Sequence, residues 1–194
     1  MDSDNYYLDI EAHFAVRRNT PFILNAKDWA LMKIWHDEEI PLSVVLEAID
    51  TVFDKNETSG RRKVISSLSY CRHAVKELWS ERKNLFVGGE EQTTPETSPD
   101  ALLESLAQQV PAAFADRVRV LAALKTVPKI EEALIEIERE ILDALADPAL
   151  RDEARTSLGD TSKLDEKTRA RTEEANLRRL IREKYSLPRL TLFG

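Results

Sequence analysis

The residues whose types and spacing could do chemistry are few. His73 and Glu77 stand four apart, so on a helix both would face one side, as a two-point grip on a metal requires. Two ligands are half of a tetrahedral site, and the same spacing is common on solvated helix faces, so no metal site is assigned. Cys71 is the only cysteine and falls on an apolar stripe with Leu68, Val75, Leu78 and Trp79. A thiol buried there is inert unless a cation lowers its pKa. The run Glu131, Glu132, Glu136, Glu138 and Glu140 lacks the Glu-x-x-His pairs of a di-iron bundle and reads as a solvated face. The five glycines, Gly60, Gly88, Gly89, Gly159 and Gly194, build no phosphate loop, and there is no CxxC or HExxH. The expectation is therefore no catalytic residue, no metal and no cofactor: a non-catalytic protein.

Two stretches suit binding. Arg61-Arg62-Lys63 leads into a helix start near Ser66, where cations and free backbone N–H groups could meet phosphate. Arg72, Lys76 and Lys83 follow along the next helix. These make Arg61, Arg62, Lys63, Arg72 and Lys76 candidate nucleic-acid contacts, against the plainer reading of a solubilising loop. The second stretch is apolar: Leu187, Leu190, Leu192 and Phe193 around Pro188. Such a tail either docks on its own domain or enters a partner's groove. Leu190 and Leu192 have the alternate spacing of an extended segment added to a sheet edge.

These residues must be positioned by helices, because periods of three and four dominate the apolar pattern. Tyr6, Ile10 and Phe14 mark a first helix, stopped before Pro21. Asn25 caps a second, carrying Asp28 near its positive end and Trp29, Met32 and Trp35 on a wide apolar face. Pro41 opens a third, striped by Leu42, Val45, Leu46, Ile49, Val52 and Phe53. Ser66 or Ser67 caps a fourth, ending at Trp79. Trp29, Trp35 and Trp79 are expected to share one core. Val87–Pro99 has two glycines, two prolines and little to bury, and reads as a flexible linker. Beyond it, Ser98 and Pro99 start a fifth helix and Pro111 a sixth. Ile130, Leu134, Ile137, Ile141 and Leu145 stripe the longest one. A weaker helix follows Pro148, and Thr161 or Ser162 begins a charged last helix. The fold class expected is all-α: a small helical bundle over 1–86, a linker over 87–99, and a helical region over 100–194 with an apolar tail.

Charge is uneven along the 194 residues. Residues 1–86 carry 12 basic and 14 acidic groups, 87–162 carry 7 and 16, and 163–194 carry 9 and 5. An acidic middle with a basic end could meet an acidic partner or the chain's own middle. The unpaired cysteine indicates a reducing compartment, no apolar run spans a bilayer, and Met-Asp-Ser-Asp-Asn is acidic where a signal peptide is basic. A cytoplasmic protein without a membrane segment is expected.

Asp28-Trp29…Trp35, the Ile40-Pro-Leu-Ser-Val-Val-Leu-Glu-Ala-Ile helix, a polar loop and Tyr70…Trp79 together resemble the C-terminal helical module of DnaD-like replication-initiation proteins. The resemblance covers about residues 25–82. Val75 and Trp79 stand one residue later than in the family's Tyr-x3-Ile-x3-Trp helix. It implies contact with single-stranded DNA and assembly with a helicase loader. The residues themselves support an adaptor that binds protein partners, with a DNA-binding accessory role as the alternative. They name neither the partner nor the oligomeric state.

Overall fold

The structure is a computed structural model and describes residues 3–19, 24–60, 63–87, 98–124 and 126–193. It is all-α, with no strand among the described residues. The helices are α1 (Ser3–Arg18), α2 (Ala26–Asp37), α3 (Leu42–Thr58), α4 (Arg72–Val87), α5 (Pro99–Gln109), α6 (Ala112–Val120), α7 (Val127–Leu145), α8 (Pro148–Thr156) and α9 (Glu166–Tyr185). The chain forms two compact units, Met1–Ser80 with Arg151–Leu177, and Glu81–Leu150 with Arg178–Gly194. This grouping is not the sequential 1–86 and 100–194, because Arg151–Leu177 groups with the first stretch. Residues 88–97 of the expected linker lie outside the described residues.

In the first unit the helix boundaries follow local chemistry. Asn25 caps α2 as its residue type requires, its side chain accepting from the N–H groups of Lys27 and Asp28. Asn19 ends α1 with φ 51°, a left-handed conformation that asparagine tolerates better than most residues. Tyr6, Ile10 and Phe14 are buried on α1, and Leu42, Val45, Leu46, Ile49 and Phe53 on α3. The two stripes meet through an edge-to-face pair of Phe14 and Phe53, centroids 5.6 Å apart. Burial of each such side chain contributes about 2–3 kcal/mol. The fourth helix starts later than Ser67. Ser67 caps a single 3-10 turn, Leu68–Tyr70, and α4 begins at Arg72. The last helix also starts later than Thr161. Asp165 is its cap, accepting from the Thr168 N–H at 3.0 Å. Asn176 on α9 donates to Ala154 O (2.7 Å) and to Ser157 Oγ (2.9 Å), tying the end of α8 to α9.

The tryptophans do not share one core. Trp35 is buried, Trp79 is half-buried, and Trp29 is 38% exposed. Trp29 lies on the flank of the α2 stripe, so one edge packs while the other meets solvent.

In the second unit Ser98 caps α5, accepting from the Ala101 N–H at 3.2 Å, with Pro99 at the first position. Helices α5 and α6 pack on α7, whose Ile130, Leu134, Ile137 and Ile141 are buried. No helix among the described residues is long and apolar enough to cross a membrane.

Candidate functional site

Each unit holds a cluster of aromatic or polar side chains. In the first unit, four rings run from core to surface. Tyr6 is buried and its hydroxyl donates to Ile40 O at 3.1 Å. Burial pushes the Tyr6 hydroxyl well above its ordinary pKa, keeping it a neutral donor. Tyr6 meets Tyr7 edge to face at 5.7 Å and His36 at 5.3 Å. Tyr7 in turn packs on His36 at 5.5 Å and on Trp29 at 6.0 Å. Trp29 is thus held by a neighbouring ring while partly open to solvent. Ile34, on the same helix, is 50% exposed.

Beneath this face lies Asp28, fully buried. Its carboxylate accepts from Asn25 Nδ2 (2.7 Å), Ser67 Oγ (2.7 Å) and the Leu68 N–H (2.9 Å). A buried carboxylate is tolerated when donors replace water around it. Asp28 is therefore the bond between α2 and the Leu68–Tyr70 turn.

This geometry corrects one expectation. The Leu68 and Ser69 amides of the turn ahead of α4 are not open to phosphate. The Leu68 N–H is taken by the Asp28 carboxylate and the Ser69 N–H by Ser67 Oγ at 3.1 Å. An anion already occupies the place reserved for one. Arg61 and Arg62 lie outside the described residues. Lys63 is exposed, with its backbone held by Asn56 through the Lys63 N–H and O, each at 2.9 Å. Arg72 and Lys76 are exposed and share one stripe of α4, about 40° apart. Tyr70, 52% exposed, precedes them.

His73 and Glu77 are both exposed on α4, and no group of three or more His, Cys, Asp or Glu among the described residues is arranged to hold a metal. Cys71 is buried. Burial, then the Asp28 and Asp50 carboxylates, push its thiol up to about 12. His13, also buried, meets Asp50 Oδ1 through Nε2 at 2.8 Å. Arg17 pairs with Asp54 and lies 5.5 Å over the Phe53 ring. The Arg17 cation beside the His13–Asp50 pair makes this an ionic tie between α1 and α3.

The second unit carries a buried polar cluster that the sequence reading placed on a solvated face. Glu131 is 8% exposed. Its carboxylate receives the Leu192 N–H at 2.6 Å and the Thr191 hydroxyl at 2.9 Å, and the Phe193 N–H donates back to Thr191 Oγ1 at 3.0 Å. Glu138 pairs with Arg182 at 2.6 Å, both side chains largely buried. Desolvation lowers the Arg182 pKa, opposed by Glu138. The tail residues offered as partner contacts are consequently not a free surface. Leu190, Leu192 and Phe193 are buried and Leu187 is half-buried, because the backbone of the tail finds an acceptor on α7 and its leucines find the apolar stripe.

A sequence signal for Glu131 and Glu138 existed. On α7 they lie about 100° and 80° from Ile130, between Leu134 and Leu142, whereas Glu132, Glu136 and Glu140 lie on the far side.

A family model described as an uncharacterised protein matches residues 5–91, less than half of the chain. No curated protein and no solved structure matches. The matched stretch contains the aromatic face, the Asp28 tie and the exposed cations of α4.

Proposed function

We propose that the chain is a non-catalytic helical interaction module, a cytoplasmic adaptor that binds protein partners through the Tyr7–Trp29 face of α1 and α2. The observation that carries this reading is Trp29, 38% exposed yet packed against Tyr7. Trp and Tyr dominate the energetics of protein interfaces. A ring already held by its neighbour loses little freedom on binding, which favours affinity. The exposed Lys33–Asp37 pair, about 40° and 80° around α2 from Trp29, borders the ring with a polar rim.

The test places a photo-cross-linking residue at exposed Lys33, one turn from Trp29 on the same side of α2, in the full chain, inside the cells that make it, with the same residue at exposed Val120 as control. A discrete adduct specific to position 33, lost on Trp29→Ala, is expected. No adduct, or one indifferent to Trp29→Ala, would overturn the reading.

A second reading, single-stranded DNA binding, is favoured by the Arg72–Lys76 stripe beside exposed Tyr70 and by the DnaD-like resemblance. The excess of acidic over basic groups in residues 1–86 opposes it. Under this reading Arg72→Ala with Lys76→Ala lowers the slope of log affinity against log salt by about 1.4, the share of two phosphates on a single strand. An unchanged slope removes it.

A further inference from the structure

The segment Leu187–Phe193 is neither helix nor strand, yet Leu190, Leu192 and Phe193 are almost fully buried. Leu190 and Leu192 complete an apolar cluster with Leu103 and Leu106 of α5, Val118 of α6, and Leu134 and Ile141 of α7. The three helices leave a groove, and the segment fills it. The fit is specific, because the buried Glu131 carboxylate takes one backbone N–H and one hydroxyl from the segment.

The hinge leading into this segment is strained. Ser186 closes α9 at φ 51°, with the Leu187 N–H returned to Arg182 O at 3.0 Å. Helices commonly end this way, but with glycine at the left-handed position. Serine there carries a penalty on the order of ten-fold in equilibrium constant. Pro188 follows at once and disfavours helical geometry at Leu187, so an opened segment stays extended rather than prolonging α9. Packing beside the hinge is incomplete. A cavity of ≈ 10 Å³, about the space of one water, is lined by Val110 and Leu142 together with Leu187, Pro188 and Leu190.

We propose that groove and segment form an exchangeable interface whose partner is a second copy of this chain, the 187–193 segment of each copy docking in the groove of the other. The segment itself is the one sequence shown to satisfy both the leucine sites and Glu131, and a second copy presents it unchanged. Exchange remakes every bond between segment and groove, the circumstance that makes such dimers inexpensive to reach, and gives up only the hinge bond from the Leu187 N–H to Arg182 O. It also lets both Ser186 residues leave the left-handed region. Opposing it is the local supply of the chain's own segment, equivalent to millimolar concentration for a short tether. The exchanged form therefore belongs to high concentration and to conditions that open the latch. The inference does not depend on the α2 face, which lies in the other unit.

The test uses the full chain, held at about 1 mM and at about 1 µM just below its melting temperature, then cooled and sized by light scattering. A dimer is expected in the concentrated sample only, persisting on cold dilution. Ser186→Gly, which accepts φ 51° freely, lowers the dimerisation constant about 100-fold, ten-fold per hinge. Ser186→Pro, locked near φ −65°, makes the dimer the main species. Wild type that stays monomeric at 1 mM, or a Ser186→Gly chain that dimerises equally, overturns the proposal. If Ser186→Pro fails to fold, the comparison of wild type with Ser186→Gly decides alone. A dimer that survives Leu192→Asp is built elsewhere and also overturns it.

Discussion

Glu131→Ala isolates what holds the 187–193 segment. The substitution leaves the Leu192 N–H and the Thr191 hydroxyl, both buried, without their acceptor. An unsatisfied buried donor costs about 1–3 kcal/mol, and bonds to a charged acceptor are at the strong end. Water entering at the surface side of Glu131 recovers part of this, so a loss of about 2–4 kcal/mol is expected. Glu131→Gln keeps an amide oxygen for the Leu192 N–H. Its NH2 can donate to Thr191 Oγ1, so the loss falls to about 1 kcal/mol. A chain of two compact units need not unfold in one step, so a single melting temperature is a poor readout. Amide exchange at Leu192 and Phe193 reads the latch directly. Their protection should fall by about 30- to 700-fold in Glu131→Ala, the conversion of those energies at 1.4 kcal/mol per decade. In Glu131→Gln it should fall by about ten-fold or less. Equal protection in wild type and Glu131→Ala would refute the latch and leave the segment held by its leucines alone.

Three further outcomes follow from the first unit. Trp35→Ala should cost about 3–5 kcal/mol in denaturant unfolding, as for a fully buried aromatic, whereas Trp29→Ala should cost distinctly less because a third of its side remains in water; equal losses would contradict the burial seen. Asp28→Ala should destabilise by about 2–4 kcal/mol, since the buried Leu68 N–H and Ser67 hydroxyl lose their acceptor, and an unaffected melting curve would show that the α2-to-turn tie is redundant. Cys71, with its thiol pushed up to about 12, should resist iodoacetamide at pH 8 when folded and react when unfolded. The unfolded thiol ionises first, so the stability Cys71 contributes is complete below pH 9.0 and falls as pH rises toward 12; a folded chain that labels quickly at pH 8 would refute this environment.

What was legible in the sequence was whatever one helix decides by itself. Asn25 and Ser98 cap helices through their own side chains, and the stripes of α1, α3 and α7 depend only on the helical period. Boundaries that depend on a distant group were missed. The start of α4 moved from Ser67 to Arg72 because Asp28, 40 residues earlier, takes the Leu68 N–H and turns the chain through a 3-10 step first. Asp28 was read for its own helix, where a carboxylate favours the dipole. Its larger role is satisfied by donors from another segment, which no local pattern encodes. Hydrophobicity alone puts Trp29 in the core, although a side chain on the flank of a stripe is decided by how much its neighbours cover.

The acidic run on α7 shows where the period carries more than it was asked for. A carboxylate at the edge of an apolar stripe is too near the core to be fully hydrated and costs free energy unless donors reach it. Glu131 and Glu138 both stand at that edge, so each demands a partner from elsewhere in the chain. Only a cation or a group of N–H and O–H donors can meet the demand: Arg182 in the last turn of α9 meets Glu138, and the Thr191 hydroxyl with the Leu192 N–H, in the segment after α9, meets Glu131. Leucines alone would hold the segment in the groove without fixing its register, since a two-residue slip exchanges one leucine for another. Glu131 removes that freedom: a slipped segment would leave its buried carboxylate without the Thr191 hydroxyl and the Leu192 N–H. Docking of the 187–193 segment is thus driven by its leucines and placed by Glu131, and any copy of the segment that enters the groove must satisfy the same acceptor.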